Sequence, residues 1–182
     1  MNKHFERFLA THCAPLLYKK KAAVLFALKN IPQSCEWKLL REHGFHILRL
    51  RHRKTHQLVF IYHPLLLIEA LDHPIATETL RKMGYSHEKG LNGLLAFLRK
   101  RFSESKDFPH EIGFFLGYPP EDVIGFLSCQ GRCKLCGQWK VYSDVGRAVA
   151  LFDEYEKCKK ALLTHLKNGT SIFTALTPAY TG

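Results

Sequence analysis

The chain has no long hydrophobic run. A membrane-spanning helix needs about 20 consecutive apolar residues, and the apolar stretches here, such as Leu65-Leu66-Leu67-Ile68, are broken within a few residues. No membrane span is expected. The first residues, Met1-Asn2-Lys3-His4-Phe5-Glu6-Arg7, lack the basic start, apolar run and small-residue cleavage site of a secretory leader. The expected location is therefore cytoplasmic. Internal repeats and low-complexity linkers are also missing, so nothing announces a second domain. Acidic residues are scarce, with 16 Asp and Glu against 27 Lys and Arg, a net charge of +11 and a pI of about 9.5. Such a surplus attracts anions, including nucleic acid, phosphates and acidic lipids. It bears on association rather than on fold.

What remains is an ordinary globular composition: 182 residues, 46% hydrophobic and 24% charged. That length suits one domain and buries a sizeable core without disulfide staples. The six cysteines are Cys13, Cys35, Cys129, Cys133, Cys136 and Cys158. With no leader and three of them packed into eight residues, they read as reduced thiols.

The pattern along the chain predicts an α+β protein, a single compact domain with a small, mainly antiparallel sheet and several packed helices. Residues 3–12 read as a short helix, with Phe5, Phe8 and Leu9 on one face. Cys13-Ala14-Pro15 breaks it. Lys19-Lys20-Lys21 precedes an apolar run, Ala22 to Leu28, that reads as a buried strand ended by Ile31-Pro32. Ser34 caps an expected helix from Cys35 to His43, with Gly44 just past its end. Residues 46–53 and 57–62 read as paired strands around a Lys54-Thr55 turn. Period-two alternation then puts Arg49, Arg51 and Arg53 on one face, an anion-binding stripe or a solvated edge. Short helices follow over 65–71, 74–83 and, capped by Ser86, through the Leu91, Leu94, Leu95 and Leu98 stripe. Phe108 to Tyr118 reads as a buried strand or tight loop. A helix start lies at Tyr118 to Asp122, and a short strand at Trp139 to Tyr142. The last helix runs from a cap at Asp144 to about Lys167 and stops at Gly169. The domain is expected to span 1–169, with 170–182 a partly ordered tail.

Three places can carry chemistry. Cys129-x3-Cys133-x2-Cys136 has the spacing at which thiols converge on zinc, iron or an iron–sulfur cluster, but equally that of ordinary loop thiols. Cys13 becomes a nucleophile only if a basic neighbour lowers its pKa; otherwise it is a small buried hydrophobe. His110 is the best distant base, with Glu111 beside it to orient it and glycines at 113 and 117 to let backbone approach.

The segment His110-Glu111-Ile112-Gly113, followed by Phe115-Leu116-Gly117-Tyr118-Pro119-Pro120-Glu121-Asp122-Val123, resembles the hallmark of a bacterial, clostridial-type family, domain of unknown function 3793. His12-Cys13-Ala14-Pro15 resembles its N-terminal motif, Cys136-Gly137-x-Trp139-Lys140-Val141-Tyr142 its third, and Tyr155-x-x-Cys158 a fourth. The chain departs from the pattern at Leu16-Leu17-Tyr18-Lys19, where a stretch ending in Gly is expected, and at Ser143-Asp144, where Gly-Asp is. The resemblance implies that Cys13, His110, Glu111, Cys136 and Cys158 matter more than the other thiols. It brings no activity.

The leading expectation is a thiol-dependent acyl-transfer or hydrolase site, with Cys13 as thiolate, His110 as base and Glu111 orienting. Arg49, Arg51, Tyr118, Trp139 and Lys140 are the expected contacts to a small-molecule, peptide or anionic ligand. The second expectation is a metal, iron–sulfur or iron-cofactor protein using Cys13, His110, Cys136 and Cys158. The third is a basic nucleic-acid-binding adaptor using Arg49, Arg51, Arg53 and the lysines at 19–21.

Overall fold

The computed structural model describes residues 3–29, 34–53, 56–105, 107–128 and 131–176. The expected Ile31-Pro32 break, the Lys54-Thr55 turn, Cys129 and the end of the tail lie outside the described residues.

The chain opens with α1 (Lys3–His12) and a one-turn α2 (Ala14–Leu17), then enters β1 (Ala23–Leu28). Helix α3 (Ser34–Glu42) leads into β2 (His46–Arg53) and β3 (His56–Tyr62). Helices α4 (Pro64–Leu71) and α5 (Pro74–Lys82), a 3-10 turn at His87–Lys89 and α6 (Gly90–Glu104) follow. A one-turn α7 (Ile112–Phe115) abuts α8 (Pro120–Leu127). A two-residue hairpin, β4 (Leu135–Cys136) and β5 (Lys140–Val141), precedes the long α9 (Val145–Lys167) and α10 (Ile172–Leu176). Prolines at the first turns of α4, α5 and α8 supply a φ suited to helix entry where no amide bond is lost. Asp144 caps α9 as expected, accepting from the Arg147 amide at 2.9 Å.

The three-stranded antiparallel sheet has the order β1-β3-β2. Its alternation sorts side chains into two cores. Ala23, Leu25, Leu48, Phe60 and Tyr62 join one with α4 to α8, where Phe114 and Phe115 are fully buried. Val24, Phe26, Ile47, Val59 and Ile61 join the other with α1, α2, α9 and α10. Ile172 and Phe173 are buried in that second core, so packing continues past Gly169. A smaller cluster of Trp139, Val141, Ala148 and Tyr155 ties the hairpin to the start of α9.

Three local readings are corrected. The segment expected as strand or loop between Phe108 and Tyr118 contains helical α7, whose four residues are all buried. A short apolar run buried on every side carries no period to separate strand from helix. Ser86 is extended and makes no side-chain cap; the chain leaves the 3-10 turn through Gly90, at φ 61°, where α6 begins. In β2 a bulge falls between Arg49 and Arg51: Arg49 pairs with Val59 but Arg51 with Leu58, adjacent residues on β3. The extra residue, Leu50, interrupts the period-two alternation of the strand.

Between α2 and β1 the chain turns through Lys19, at φ 56° the one described non-glycine residue with positive φ. Its amide bonds to Leu16 O at 2.8 Å and that of Lys20 to Pro15 O at 2.8 Å, a left-handed helix stop that glycine usually fills. This is where the sequence departs from the expected Gly. Left-handed backbone costs a side-chain-bearing residue about 1–2 kcal/mol, part of which glycine returns through its looser unfolded chain. Lys19→Gly is therefore expected to raise stability by roughly 0.5–1 kcal/mol in urea titrations; a loss of stability would show that the Lys19 side chain has a structural role.

Candidate functional site

The residues singled out in the sequence divide between the two sides of the sheet. Cys13 N-caps α2 and is 1% exposed in the core with Val24, Val59 and Ile61, where Cys158 of α9 is also buried. Burial pushes the Cys13 thiol far up, with the Lys21 charge opposing more weakly. Burial also raises Cys158. His110 is exposed and lies across the sheet, where Leu25, Ile112, Leu116 and Val123 belong to the other core. The fold thus does not bring Cys13 and His110 together. Glu111 turns inward: its Oε1 accepts from Tyr85 Oη at 3.1 Å and from Arg101 Nε at 2.9 Å. It ties the α7 entrance to α6 and does not orient His110. Burial, the Glu111 charge and this hydrogen bond push the Tyr85 hydroxyl up, so it stays a donor.

Cys133 and Cys136 face each other across the hairpin mouth, with Sγ atoms 3.2 Å apart. Among the described residues no three His, Cys, Asp or Glu side chains converge as metal ligands.

Four of the expected residues do meet. His110, Tyr118, Trp139 and Lys140 line one pocket of about 260 Å³, closed by Leu25, Phe108, Ile112, Leu116, Val123 and Phe126. Its walls are aromatic. Tyr118 stacks on Trp139 with ring centroids 5.0 Å apart at 26°, and His110 meets Phe126 edge-on at 4.8 Å. The Lys140 ammonium sits 5.3 Å from the Phe126 centroid. Gly113 forms part of the lining because nothing larger fits: a Cβ there would lie 2.9 Å from Val123 Cγ2. Gly117, at φ 70°, turns the chain against Ala22 and so delivers Tyr118 beside the start of β1.

Asp122, read in the sequence only as an acid in the first turn of α8, builds this pocket. It is 2% exposed. Oδ2 accepts from Trp139 Nε1 at 2.8 Å; Oδ1 accepts from the amides of Tyr142 and Ser143 at 2.8 Å each and from Ser143 Oγ at 2.7 Å. Burial pushes its carboxyl up, but these donors outweigh burial and hold it below the usual carboxylate value. No local pattern signals such a role, because every partner lies 17 to 21 residues away. Asp122→Asn sets an amide N–H against existing donors and is expected to cost about 2–4 kcal/mol at pH 7. A depressed carboxylate stabilises fully above its unfolded pKa of about 3.9, and the contribution fades as pH falls through the lower folded value. The gap between wild type and D122N in denaturant midpoint should therefore narrow on going from pH 7 to pH 3; an unchanged gap would contradict the role.

The family model described as a protein of unknown function (DUF3793) matches residues 9–176. No curated protein and no solved structure matches significantly. A match covering nearly the whole described chain, including every motif that lines the pocket, means that this protein belongs to the DUF3793 family.

Proposed function

We propose that this protein binds a small, flat, apolar molecule carrying one acidic group, of the aromatic carboxylate kind, in the pocket between Tyr118–Trp139 and Phe126. The observation that carries this reading is convergence: two stretches of sequence, one giving His110 and Tyr118 and the other Trp139 and Lys140, line one cavity. Concave, mostly apolar pockets with few polar groups are the usual form of small-molecule sites. Flat walls favour a planar body by offset stacking, worth about 0.5–1.5 kcal/mol per ring pair. The polar groups are few and placed at one side. Lys140 and His110 are exposed, whereas the Asp122 oxygens are already occupied by four donors. A carboxylate on the ligand would meet the Lys140 ammonium and a ring nitrogen of His110 while its body is buried.

A thiol-enzyme reading finds less support. Its nucleophile is buried on the other side of the sheet, with a raised pKa, and Glu111 is engaged by Tyr85 and Arg101. Native Cys13 is accordingly expected to alkylate far more slowly with iodoacetamide at pH 7 than half-buried Cys133 or exposed Cys136. Mass spectrometry of time points measures this, and fast modification of Cys13 alone would restore the thiol reading.

Calorimetric titration tests the pocket, with salicylate and benzoate as probes. Saturable binding in the micromolar to millimolar range is expected, weakened about tenfold by Lys140→Ala and by a similar factor by His110→Ala, with unchanged melting temperature. Both side chains are exposed, so neither truncation threatens the fold. Absence of saturable binding, or affinity indifferent to both substitutions, would overturn the assignment.

A further inference from the structure

A second cavity, about 390 Å³, lies on the other side of Tyr118, the one residue common to both linings. Two helices and two connecting segments build most of it. The α2–β1 loop gives Lys19, Lys20 and Lys21; α4 gives Leu66, Glu69 and Ala70; α9 gives Arg147, Leu151 and Tyr155, spaced four apart on one helix face. Gly117 to Pro120 close the end. Four basic side chains, Lys19, Lys20, Lys21 and Arg147, therefore face a single carboxylate, Glu69, with His73 also in the lining. One of the cations is neutralised: Lys20 Nζ is 3.0 Å from Glu154 Oε1.

Lys21 is held differently. Its ammonium nitrogen lies between two aromatic faces, 5.0 Å from the Tyr118 centroid and 5.5 Å from that of Tyr155. Among the described residues no carboxylate lies within ion-pair distance of it. The rings attract the cation but accept no proton and offer little to replace water. An amine positioned between two rings, partly shielded from water and beside other cations, is the arrangement that makes lysine a nucleophile at neutral pH.

We propose that Lys21 forms an imine with a small anionic carbonyl compound, a ketone or aldehyde bearing a carboxylate or phosphate that Lys19 and Arg147 hold. The neutral ε-amine attacks the carbonyl carbon, forming the C–N bond while the carbonyl π pair moves to oxygen, which takes the first of the two amine protons. Loss of the amine proton and of that oxygen as water leaves the C=N bond, so one water is released per imine and no oxidant or reductant is consumed. Burial supports the required protonation state, lowering the Lys21 pKa to about 8, with a charge on Cys13 pulling more weakly the other way. Burial raises the phenols of Tyr118 and Tyr155, the latter to about 12, so both walls stay uncharged.

The test is reductive trapping of the native full chain with cyanoborohydride, using pyruvate and dihydroxyacetone phosphate in parallel and neutral butanone as control. Peptide mass spectrometry should find the adduct on Lys21 at least tenfold faster than on any exposed lysine at pH 7, with the rate rising toward pH 8 and above. Pyruvate alone reacting selectively identifies a carboxylate partner; the phosphate probe alone identifies a phosphate. Lys21→Arg should abolish selective labelling, and Arg147→Ala should slow the anionic probes several-fold without slowing butanone. Labelling spread evenly over the lysines, or Lys21 labelling slower than the surface, would overturn the proposal. So would equal rates for butanone and both anions.

Discussion

Asp122 carries more of this structure than its place in the first turn of α8 suggests. A buried carboxylate is costly unless its lone pairs are filled, and here four donors fill them, from Trp139, Tyr142 and Ser143. Those donors all belong to the hairpin and the loop that follows it, elements too short to fold alone. The carboxylate therefore fastens the β4–β5 unit to α8. It fixes the indole of Trp139, and through the Tyr118–Trp139 stack it fixes the wall separating the two cavities. A neutral amide there would set an N–H against one of these donors and loosen a hairpin otherwise held by a small apolar cluster.

Glycine geometry is the second requirement. Gly113 against Val123 and Gly117 against Ala22 permit a close approach that a larger side chain would obstruct. That approach puts Tyr118 where it stacks on Trp139 and receives the Lys21 ammonium. The pocket thus follows from backbone contact first and side-chain chemistry second. On the other side of the sheet, Cys13 and Cys158 fill space in an apolar core, and small buried thiols there pack as hydrophobes do.

Much of the fold was legible in the sequence because its signals are local. Asp144 and Gly169 bracket α9, Gly44 follows α3 at φ 83°, and the run from Ala22 to Leu28 lies beside strong antiparallel partners. The failures share a cause. The bulge at Leu50, the helicity of α7 and the inward turn of Glu111 are decided by neighbours distant in sequence. The site was legible in part. His110, Tyr118, Trp139 and Lys140 were named and do line one pocket, while Cys13 proved to belong to the opposite core. Lys21, Tyr155 and Arg147 went unremarked as a group. The one available sign was a lysine directly before a buried strand, which forces its side chain to start at the edge of the core.

The pocket beside Trp139 is proposed to accept an aromatic acid within a frame held by Asp122. The chain has two tryptophans, and their indole N–H signals separate the two sides of the sheet, since Trp37 lies in the core with Phe5 and Leu40. The direct measurement is a nitrogen–proton correlation spectrum recorded during titration with salicylate. Binding in this pocket should shift the Trp139 indole and the amides of Gly113 and Lys140 together with one saturation curve while the Trp37 indole stays in place. Movement of Trp37 alone, or no saturating shift at Trp139, would contradict it.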